Sequence, residues 1–303
     1  MNVYISVIIT AYNRKEYLLN AIKSVFNQTL PKDKYEIIVV KNFNDDKIDD
    51  FINRNNIKNI LMVGKLGGFL NAGIKVSNGN ILSFLDDDDL FFSNKLEYVY
   101  NLFNNDAYLV YYHNNYFPIN IKNEYIKFKN NSPDFNTSCI NIKKDIINVD
   151  YLKKIFASPD TFMYLCALES NKKVIKNKIK LTYYTVHNST SNTFKDNIEE
   201  FNNEQLEFIN NILYNFYKFN DLFKLKESIR YINSQITNWE ISKFSFNMDK
   251  KPGNLLDFIL FNRTSIENTV IKIFMYSLIR IYPTYFRRYI QRKRFINSVK
   301  HNN

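Results

Sequence analysis

Several features that mark common protein classes are scarce or missing in this sequence. Its 303 residues include only two cysteines, Cys139 and Cys166, whose spacing fits neither a disulfide framework nor a zinc site, so we expect buried thiols. No uncharged apolar stretch reaches the roughly 18–20 residues that span a bilayer. The chain enters a strand-like run almost at once, so we expect no secretory signal and a cytoplasmic protein.

Acidic residues are missing from the end of the chain. No Asp or Glu follows Glu267, although the whole chain carries a net charge of +11. Within residues 269–300, an apolar run is followed by a segment with aromatic residues on one helical face and arginines on the other. This pattern favours peripheral contact with anionic headgroups at the inner face of the cell membrane. A helical cap packed on the protein is the alternative, and without a binding motif we expect no nucleic acid partner.

The most informative stretch is an apolar run that ends in four carboxylates. Residues 80–85 read as a strand buried on both faces, and Asp86, Asp87, Asp88 and Asp89 follow directly. Clustered carboxylates raise each other's pKa, and a divalent cation removes that repulsion. Carboxylate oxygen is a preferred ligand of Mn²⁺ and Mg²⁺, so the pattern favours a metal site. The alternative is a solvated turn in which Asp89 or Ser93 caps the next helix.

Strands and helices alternate before and after this turn. Strands are predicted over residues 4–10, 35–40, 60–63, 80–85, 108–113 and 181–187, and helices over 16–28, 45–54, 69–76 and 163–168. The alternation predicts an α/β fold with a mainly parallel sheet and helices on both faces. Such sheets bind ligands at the carboxyl ends of their strands, where Tyr12, Lys41 and Asp86 would meet. Residues from 196 onward are predicted to be helical, with helices also over 221–241, 255–261 and 269–282.

Taken in order, these segments resemble the family 2 glycosyltransferases of the GT-A fold. The resemblance runs through VIITAYNR (7–14), AIKSVFNQ (21–28), YEIIVV (35–40), LNAGI (70–74) and GNILSFLDDDD (79–89), about the first third of the chain. It implies a metal-dependent, inverting transfer of a sugar from a nucleoside-diphosphate sugar to a hydroxyl of a glycan or lipid-linked glycan. In that family an Asp-x-Asp motif holds Mn²⁺ or Mg²⁺ on the diphosphate. Asp86 and Asp88 fall on its positions, with Asp86 nearer the ribose.

The resemblance also implies a donor site. Its predicted residues are Thr10, Ala11, Tyr12, Asn13, Arg14, Lys41, Asn42, Lys65, Asn71, Asp86 and Asp87. Two positions depart from the family pattern, because Lys41-Asn42 stands where an aspartate pair usually reads the nucleobase and Leu70 stands where an arginine is common. Lys65 is our candidate for the missing positive charge, with an exposed loop lysine as the alternative.

The middle of the chain would recognise the acceptor. By the resemblance, Asp160 at the start of a helix is the general base, and His187 contacts the diphosphate or the metal. The alternatives are an N-cap for Asp160 and a simple hydrogen bond for His187. We therefore predict a catalytic domain over residues 1–195, with a nucleotide-sugar half (1–106) and an acceptor half (107–195), followed by a helical region over 196–303.

Two other functions remain open at this point. A sugar nucleotidyltransferase uses a similar sheet, but its chemistry usually needs a glycine-rich loop after the first strand, and residues 10–14 contain no glycine. A catalytically degenerate relative that binds glycans or membranes is the other, because the base-reading aspartates are missing at Lys41-Asn42.

Overall fold

The computed structural model describes residues 4–120, 122, 124–125, 136–155, 157–186, 197–246, 288 and 291. His187, the predicted helices 255–261 and 269–282, and the basic segment up to residue 300 lie outside the described residues, apart from Arg288 and Gln291. Membrane contact therefore stays a prediction. The chain divides into two compact units, residues 1–186 and 187–303. The domain boundary expected at residue 195 also stays a prediction.

The first unit contains an eight-stranded sheet. The strands are β1 (Ile5–Ala11), β2 (Tyr35–Lys41), β3 (Lys58–Leu61), β4 (Ile81–Asp86), β5 (Leu90–Phe91), β6 (Leu109–Ile119), β7 (Ile140–Lys143) and β8 (Lys173–Thr185), in the order β3-β2-β1-β4-β7-β6-β8-β5. Strands β1 to β4 form a parallel block, and β6 pairs with β8 in parallel. Strand β7 is antiparallel to both β4 and β6, and β5 is antiparallel to β8.

The centre of the sheet follows from its apolar runs. Every residue of β1 is buried, and β4 is buried up to Leu85, because helices cover both faces of the parallel block. The helices of this unit are α1 (Leu18–Phe26), α2 (Asp46–Arg54), α3 (Leu66–Val76), α4 (Lys95–Asn105), α5 (Val149–Leu152) and α6 (Pro159–Glu169). The predicted α/β architecture is confirmed.

Helix α4 begins later than the capping alternative requires. Its N-cap residue is Asn94, so neither Asp89 nor Ser93 caps it. The segment between the acidic residues and α4 is instead fastened to α1 through Gln28. Gln28 Nε2 donates to the Phe92 carbonyl oxygen at 2.8 Å, and Gln28 Oε1 accepts from the Leu96 N–H at 2.8 Å. This glutamine therefore fixes the path of the chain after the acidic residues.

In the second unit the structure describes residues 197–246, which form two long helices, α7 (Ile198–Leu222) and α8 (Lys226–Phe246). Asn197 caps α7, because its side-chain oxygen accepts from the Glu200 N–H at 2.8 Å. Apolar residues spaced three and four apart, such as Ile209, Ile212 and Phe216, are buried. No helix among the described residues has both the length and the hydropathy to cross a membrane.

Candidate active site

The carboxyl ends of three neighbouring strands form the candidate site. In the sheet register, Thr10 of β1 lies opposite Asp86 of β4 on one side and Val40 of β2 on the other. The β1–α1 loop (residues 12–17) and the acidic turn (residues 86–89) therefore leave the sheet side by side. This is where the sequence predicted that the donor-site residues would meet.

The acidic turn is packed into the protein. Asp87 and Asp89 are each 1% exposed, and the side chain of Asp88 is 15% exposed. The alternative of a solvated turn is therefore wrong for these residues. Burial raises the pKa of Asp87 to about 7, and burial together with the charge of Asp88 raises the pKa of Asp89 to about 7. The pKa of Asp86 is raised well above its ordinary value by burial and by its three acidic neighbours.

Residues 136–138, in the predicted acceptor half, hold this turn in place. The Asp86 N–H donates to Ser138 Oγ at 3.0 Å, and the Ser138 hydroxyl also bonds to the Asp89 carboxylate. Asp89 further accepts from Asn136 Nδ2 at 3.2 Å and from the Thr185 N–H at 3.0 Å. Asp89 thus connects the end of β4 to the end of β8 and is a structural member of the acidic turn.

Arg14 in the β1–α1 loop forms a two-pronged ion pair with the acidic turn. Asn13 adopts a left-handed conformation, φ 57°, which asparagine tolerates. The next residue, Arg14, donates from Nη1 to Asp88 Oδ2 at 2.6 Å and from Nη2 to Asp87 Oδ1. The Tyr12 N–H also bonds to the Asp87 carboxylate. The loop and the turn are therefore locked together through both main chain and side chain.

The residues after β2 take different positions from those expected. Lys41 is fully buried, and its Nζ bonds to Asp49 Oδ1 at 2.8 Å and to the Phe43 carbonyl oxygen at 2.6 Å. Its ammonium group therefore anchors α2, and contact of Lys41 with the donor stays a prediction. Asn42 does lie at the site edge, because Oδ1 accepts from the Asn13 N–H at 2.8 Å and Nδ2 donates to Asn13 Oδ1 at 2.7 Å.

Helix α3 contributes Asn71 and Lys65. Asn71 is 8% exposed, and its Oδ1 accepts no hydrogen bond from the described residues. Lys65 is exposed at the N-cap position of α3. Gly67, in the first turn, serves packing, because a Cβ there would lie 2.2 Å from the Leu152 carbonyl oxygen. The structure thus gives a buried amide with an open acceptor and an exposed cation on the same helix.

Asp160 lies in the first turn of α6. Ser158, at the N-cap position, has a left-handed backbone with φ 58°, and Pro159 follows it, so Asp160 is not the N-cap residue. Asp160 Oδ1 accepts from the Thr161 N–H at 2.7 Å. Burial raises the pKa of Asp160 above its ordinary value, although these helix N–H groups oppose that shift. The carboxylate is therefore held in place by the helix start.

Comparison with known sequences now places this geometry in a family. The sequence profile described as "Glycosyl transferase family 2" matches residues 6–171, more than half of the chain. The chain belongs to this family. Curated relatives of this family 2 member include an uncharacterized glycosyltransferase of Rickettsia bellii, 40% identical over 98 residues (31% of this chain, 14% of the relative). A poly(ribitol-phosphate) beta-glucosyltransferase of Bacillus spizizenii is 32% identical over 105 residues (32% and 17%).

The matched region is a small part of these relatives, whereas one solved structure is matched almost throughout. The chain spans 14% and 17% of the two curated relatives named above. The crystal structure of S. aureus TarS 1-349 has a TM-score of 0.55 and 16% identity, covering 95% of this chain and 90% of that one. The family 2 chain therefore shares the TarS fold.

The acidic turn of this family 2 chain fits a divalent cation in part. Within the described ranges, no three His, Cys, Asp or Glu side chains are grouped closely enough to hold an ion by themselves. A magnesium-type site needs only one or two carboxylates when substrate phosphates supply the remaining oxygens. Asp88 is a suitable hard-oxygen ligand, and Asp87 Oδ2 is buried and accepts no hydrogen bond from the part of the chain that the structure describes. These oxygen ligands therefore suit a hard divalent cation whose remaining ligands come from elsewhere, and His187 lies outside the described residues.

Sequence reasoning missed one buried cation near the site. Lys95, the first residue of α4, is completely buried, and its Nζ donates to the Ser138 carbonyl oxygen at 2.5 Å and to Thr182 Oγ1 at 3.1 Å. Burial lowers the pKa of Lys95 to about 7. Lys95 therefore anchors the residues that hold the acidic turn. No sequence signal distinguishes it from an ordinary exposed lysine at a helix start.

Proposed function

We propose that this chain is an inverting glycosyltransferase that moves a sugar from a nucleoside-diphosphate sugar to a hydroxyl of a glycan or lipid-linked glycan. The observation that carries the proposal is the buried acidic turn, which lies beside the β1–α1 loop at the carboxyl ends of β1 and β4 in a chain of family 2. Such an edge is where parallel sheets bind nucleotides. Concentrated, buried negative charge at that edge suits a metal-bound diphosphate.

The donor would lie along the carboxyl ends of β2, β1 and β4. The Asn13–Asn42 pair is exposed and offers amide donors and acceptors to a nucleobase or ribose. Asn71 Oδ1, buried and without a hydrogen-bond donor among the described residues, would accept from a donor hydroxyl. Crystal structures of TarS in complex with UDP and with UDP-GlcNAc have TM-scores of 0.51 and 0.52 against this chain and support a nucleotide-sugar ligand.

Asp88, helped by Asp86, would hold Mn²⁺ or Mg²⁺ at the diphosphate. A metal ion bound there would supply a Lewis acid that neutralises negative charge on the leaving phosphate. The protein itself would keep the carboxylates together when no metal is bound. Ser138, Asn136 and Arg14 do this through the hydrogen bonds described above. The site is thereby organised before the donor arrives.

Asp160 would act as the general base. Its carboxylate would take the proton of the acceptor hydroxyl as that oxygen bonds to the anomeric carbon. The bond from that carbon to the diphosphate oxygen breaks in the same step, and the nucleoside diphosphate leaves from the opposite face, so the configuration inverts. The relative named for poly(ribitol-phosphate) supports an acceptor with polyol or glycan hydroxyls.

The test is donor binding followed by donor turnover. The full chain is titrated with UDP, GDP, CDP and ADP by calorimetry, with Mn²⁺ and with EDTA, and is then assayed for release of the diphosphate from matching sugar nucleotides. We expect Mn²⁺-dependent binding of one nucleotide, and Asp88→Asn should abolish it. Asp50→Asn removes a similar carboxylate from the exposed face of α2 and should change nothing.

Three results would contradict the proposal. Pyrophosphate release from a nucleoside triphosphate and a sugar phosphate would identify a nucleotidyltransferase instead. Binding of the nucleotide without turnover on any glycan acceptor would favour the catalytically degenerate relative. Turnover that survives Asp88→Asn would remove the acidic turn from the mechanism.

A further inference from the structure

The ion pair between the β1–α1 loop and the acidic turn has a consequence for donor binding. We propose that Arg14 is an exchangeable counter-cation, which offsets part of the negative charge of Asp87 and Asp88 before the donor arrives and transfers to the donor's diphosphate when a divalent ion takes Asp88. The inference rests on the proposed function, since it requires a metal-bound diphosphate at this turn. It assigns Arg14, in the β1–α1 loop, a direct contact with the diphosphate of the donor.

The first step is that Arg14 occupies the place where a cation is needed. Four successive carboxylates lie in the turn, and the Arg14 guanidinium bonds to Asp87 and Asp88 at once. A guanidinium stays charged throughout the physiological range, and its planar fork matches two carboxylate oxygens. Arg14 therefore does electrostatically, in the absence of donor, what a divalent cation would do when bound.

The second step is that Arg14 and the divalent ion compete. Asp88 Oδ2 lies 2.6 Å from Arg14 Nη1, and Asp88 is also the carboxylate assigned to the metal. Two cations that share one carboxylate would lie a few ångströms apart, where low-dielectric surroundings strengthen their repulsion. Binding of the ion to Asp88 therefore displaces the guanidinium from that oxygen.

The third step identifies where the guanidinium goes. The Arg14 side chain is 22% exposed, so protein does not enclose it on every side. The group that enters with the metal is a diphosphate, and phosphate oxygens accept the same two-pronged hydrogen bonds as carboxylates. The other cations predicted for the donor site are less suited, because Lys41 is buried against Asp49 and Lys65 is an exposed residue at the start of α3. Arg14 is thus the cation that already lies against the carboxylate assigned to the metal.

The exchange predicts changes of opposite sign in one variant. Arg14→Gln removes the competitor of the metal and also a ligand of the diphosphate. We expect Mn²⁺ alone to bind about tenfold more tightly than to wild type, and UDP at saturating Mn²⁺ to bind about tenfold more weakly, within the range of typical coupling between sites. Both affinities are measured by calorimetry, with UDP replaced by whichever of the four diphosphates wild type binds most tightly.

The matched control is Arg54→Gln, the same substitution in an exposed ion pair with Asp50 on α2. It should leave both affinities unchanged. Arg14→Lys keeps the charge without the fork, so its affinity for Mn²⁺ alone should stay near wild type while UDP binds more weakly.

Two outcomes overturn the exchange. If Arg14→Gln weakens Mn²⁺ and UDP binding together, or lowers the melting temperature without changing either affinity, Arg14 only braces the turn. If wild type itself binds no diphosphate in the presence of Mn²⁺, the proposed function fails first, and that result is distinguishable because it does not involve the variant.

Discussion

Asp160, the proposed general base, lies in surroundings that suit a proton acceptor. The first turn of α6 fixes its carboxylate, and burial brings its pKa up from the ordinary aspartate value toward neutrality. We expect Asp160→Asn to lower kcat by about 10²–10⁴-fold with little change in KM, because the amide has similar shape but cannot take a proton. Steady-state kinetics with the donor identified by calorimetry would measure both constants.

The control for Asp160 is Asp150, an exposed acid in the first turn of α5. Asp150→Asn should leave kcat and KM at wild-type values.

In wild type, kcat should fall as the pH drops below the raised pKa of Asp160, because only the ionised carboxylate accepts the proton. An Asp160→Asn enzyme with wild-type kcat would remove Asp160 from the reaction.

Single residues also show what a sequence cannot specify. Lys41 and Lys95 are both lysines at the boundaries of regular elements, where exposed side chains are usual. In the fold both are buried, the first against Asp49 and the second against Ser138 and Thr182. The partners of Lys95 are distant in sequence, and for both lysines the fold decides which groups they meet. Only the tertiary structure therefore reveals their roles. The closeness of the β1–α1 loop to the acidic turn, in contrast, was predictable, because the parallel strands β1 and β4 end at the same edge of the sheet.

At the scale of elements, the close approach of α3 to α5 depends on Gly67. A Cβ at Gly67 would lie 2.2 Å from the Leu152 carbonyl oxygen and 2.7 Å from that of Ile155, and backbone atoms cannot easily move away. We expect Gly67→Ala to destabilise the protein by about 1–3 kcal/mol. The measurement is the free energy of unfolding in urea.

The neighbouring glycine gives a matched control for this substitution. A Cβ at Gly68 would meet only the Met62 Cε at 3.6 Å, which is an ordinary contact. Because alanine favours a helix over glycine by up to about 1 kcal/mol, Gly68→Ala should be neutral or stabilising. Equal losses at both positions would mean that helix α3 does not pack as described.

The elements also differ in how far the sequence predicted them. The apolar runs of β1 and β4 specified the buried centre of the sheet, since only strands covered on both faces have that composition. Strand β8 was predicted over 181–187 but spans Lys173–Thr185, and its first half is rich in lysine. That half is a strand because it pairs with β6, at positions such as Tyr111 with Val174. Long-range pairing outweighs local composition there, and a single sequence does not display it.

For the molecule as a whole, the buried acids predict an unusual dependence of stability on pH. Asp87 and Asp89 have pKa values of about 7 in the folded protein, against 3.8 for an ordinary aspartate, and the pKa of Asp86 is also raised above its ordinary value. At pH values between 3.8 and about 7, these carboxyl groups stay protonated in the folded state but are ionised in the unfolded state. Stability without metal should therefore fall as the pH rises toward 7.

Opposing groups restrict the useful range to pH 6–7. Burial lowers the pKa of His113 to about 3 in the folded protein, against 6.5 for an ordinary histidine. Below pH 6.5 the unfolded state therefore binds a proton that the folded state does not bind, so the stability falls as the pH decreases. Lys95, with a pKa of about 7, makes stability rise with pH above that value. From pH 6 to 7 Asp87 and Asp89 each contribute up to about 1.4 kcal/mol, so these two acids together outweigh the single histidine.

In EDTA we expect the melting temperature to be about 5 °C higher at pH 6.0 than at pH 7.0, since each kcal/mol shifts it by roughly 2–4 °C in a domain of this size. Mn²⁺ with the bound diphosphate should reduce the difference, because a cation relieves the same repulsion that protons relieve. Asp87→Asn should reduce it as well, because its amide is neutral at both pH values. A metal-free protein whose melting temperature is higher at pH 7.0 would show that the turn is ionised and compensated in the folded state, and the electrostatic case for a metal at this turn would lose its main support.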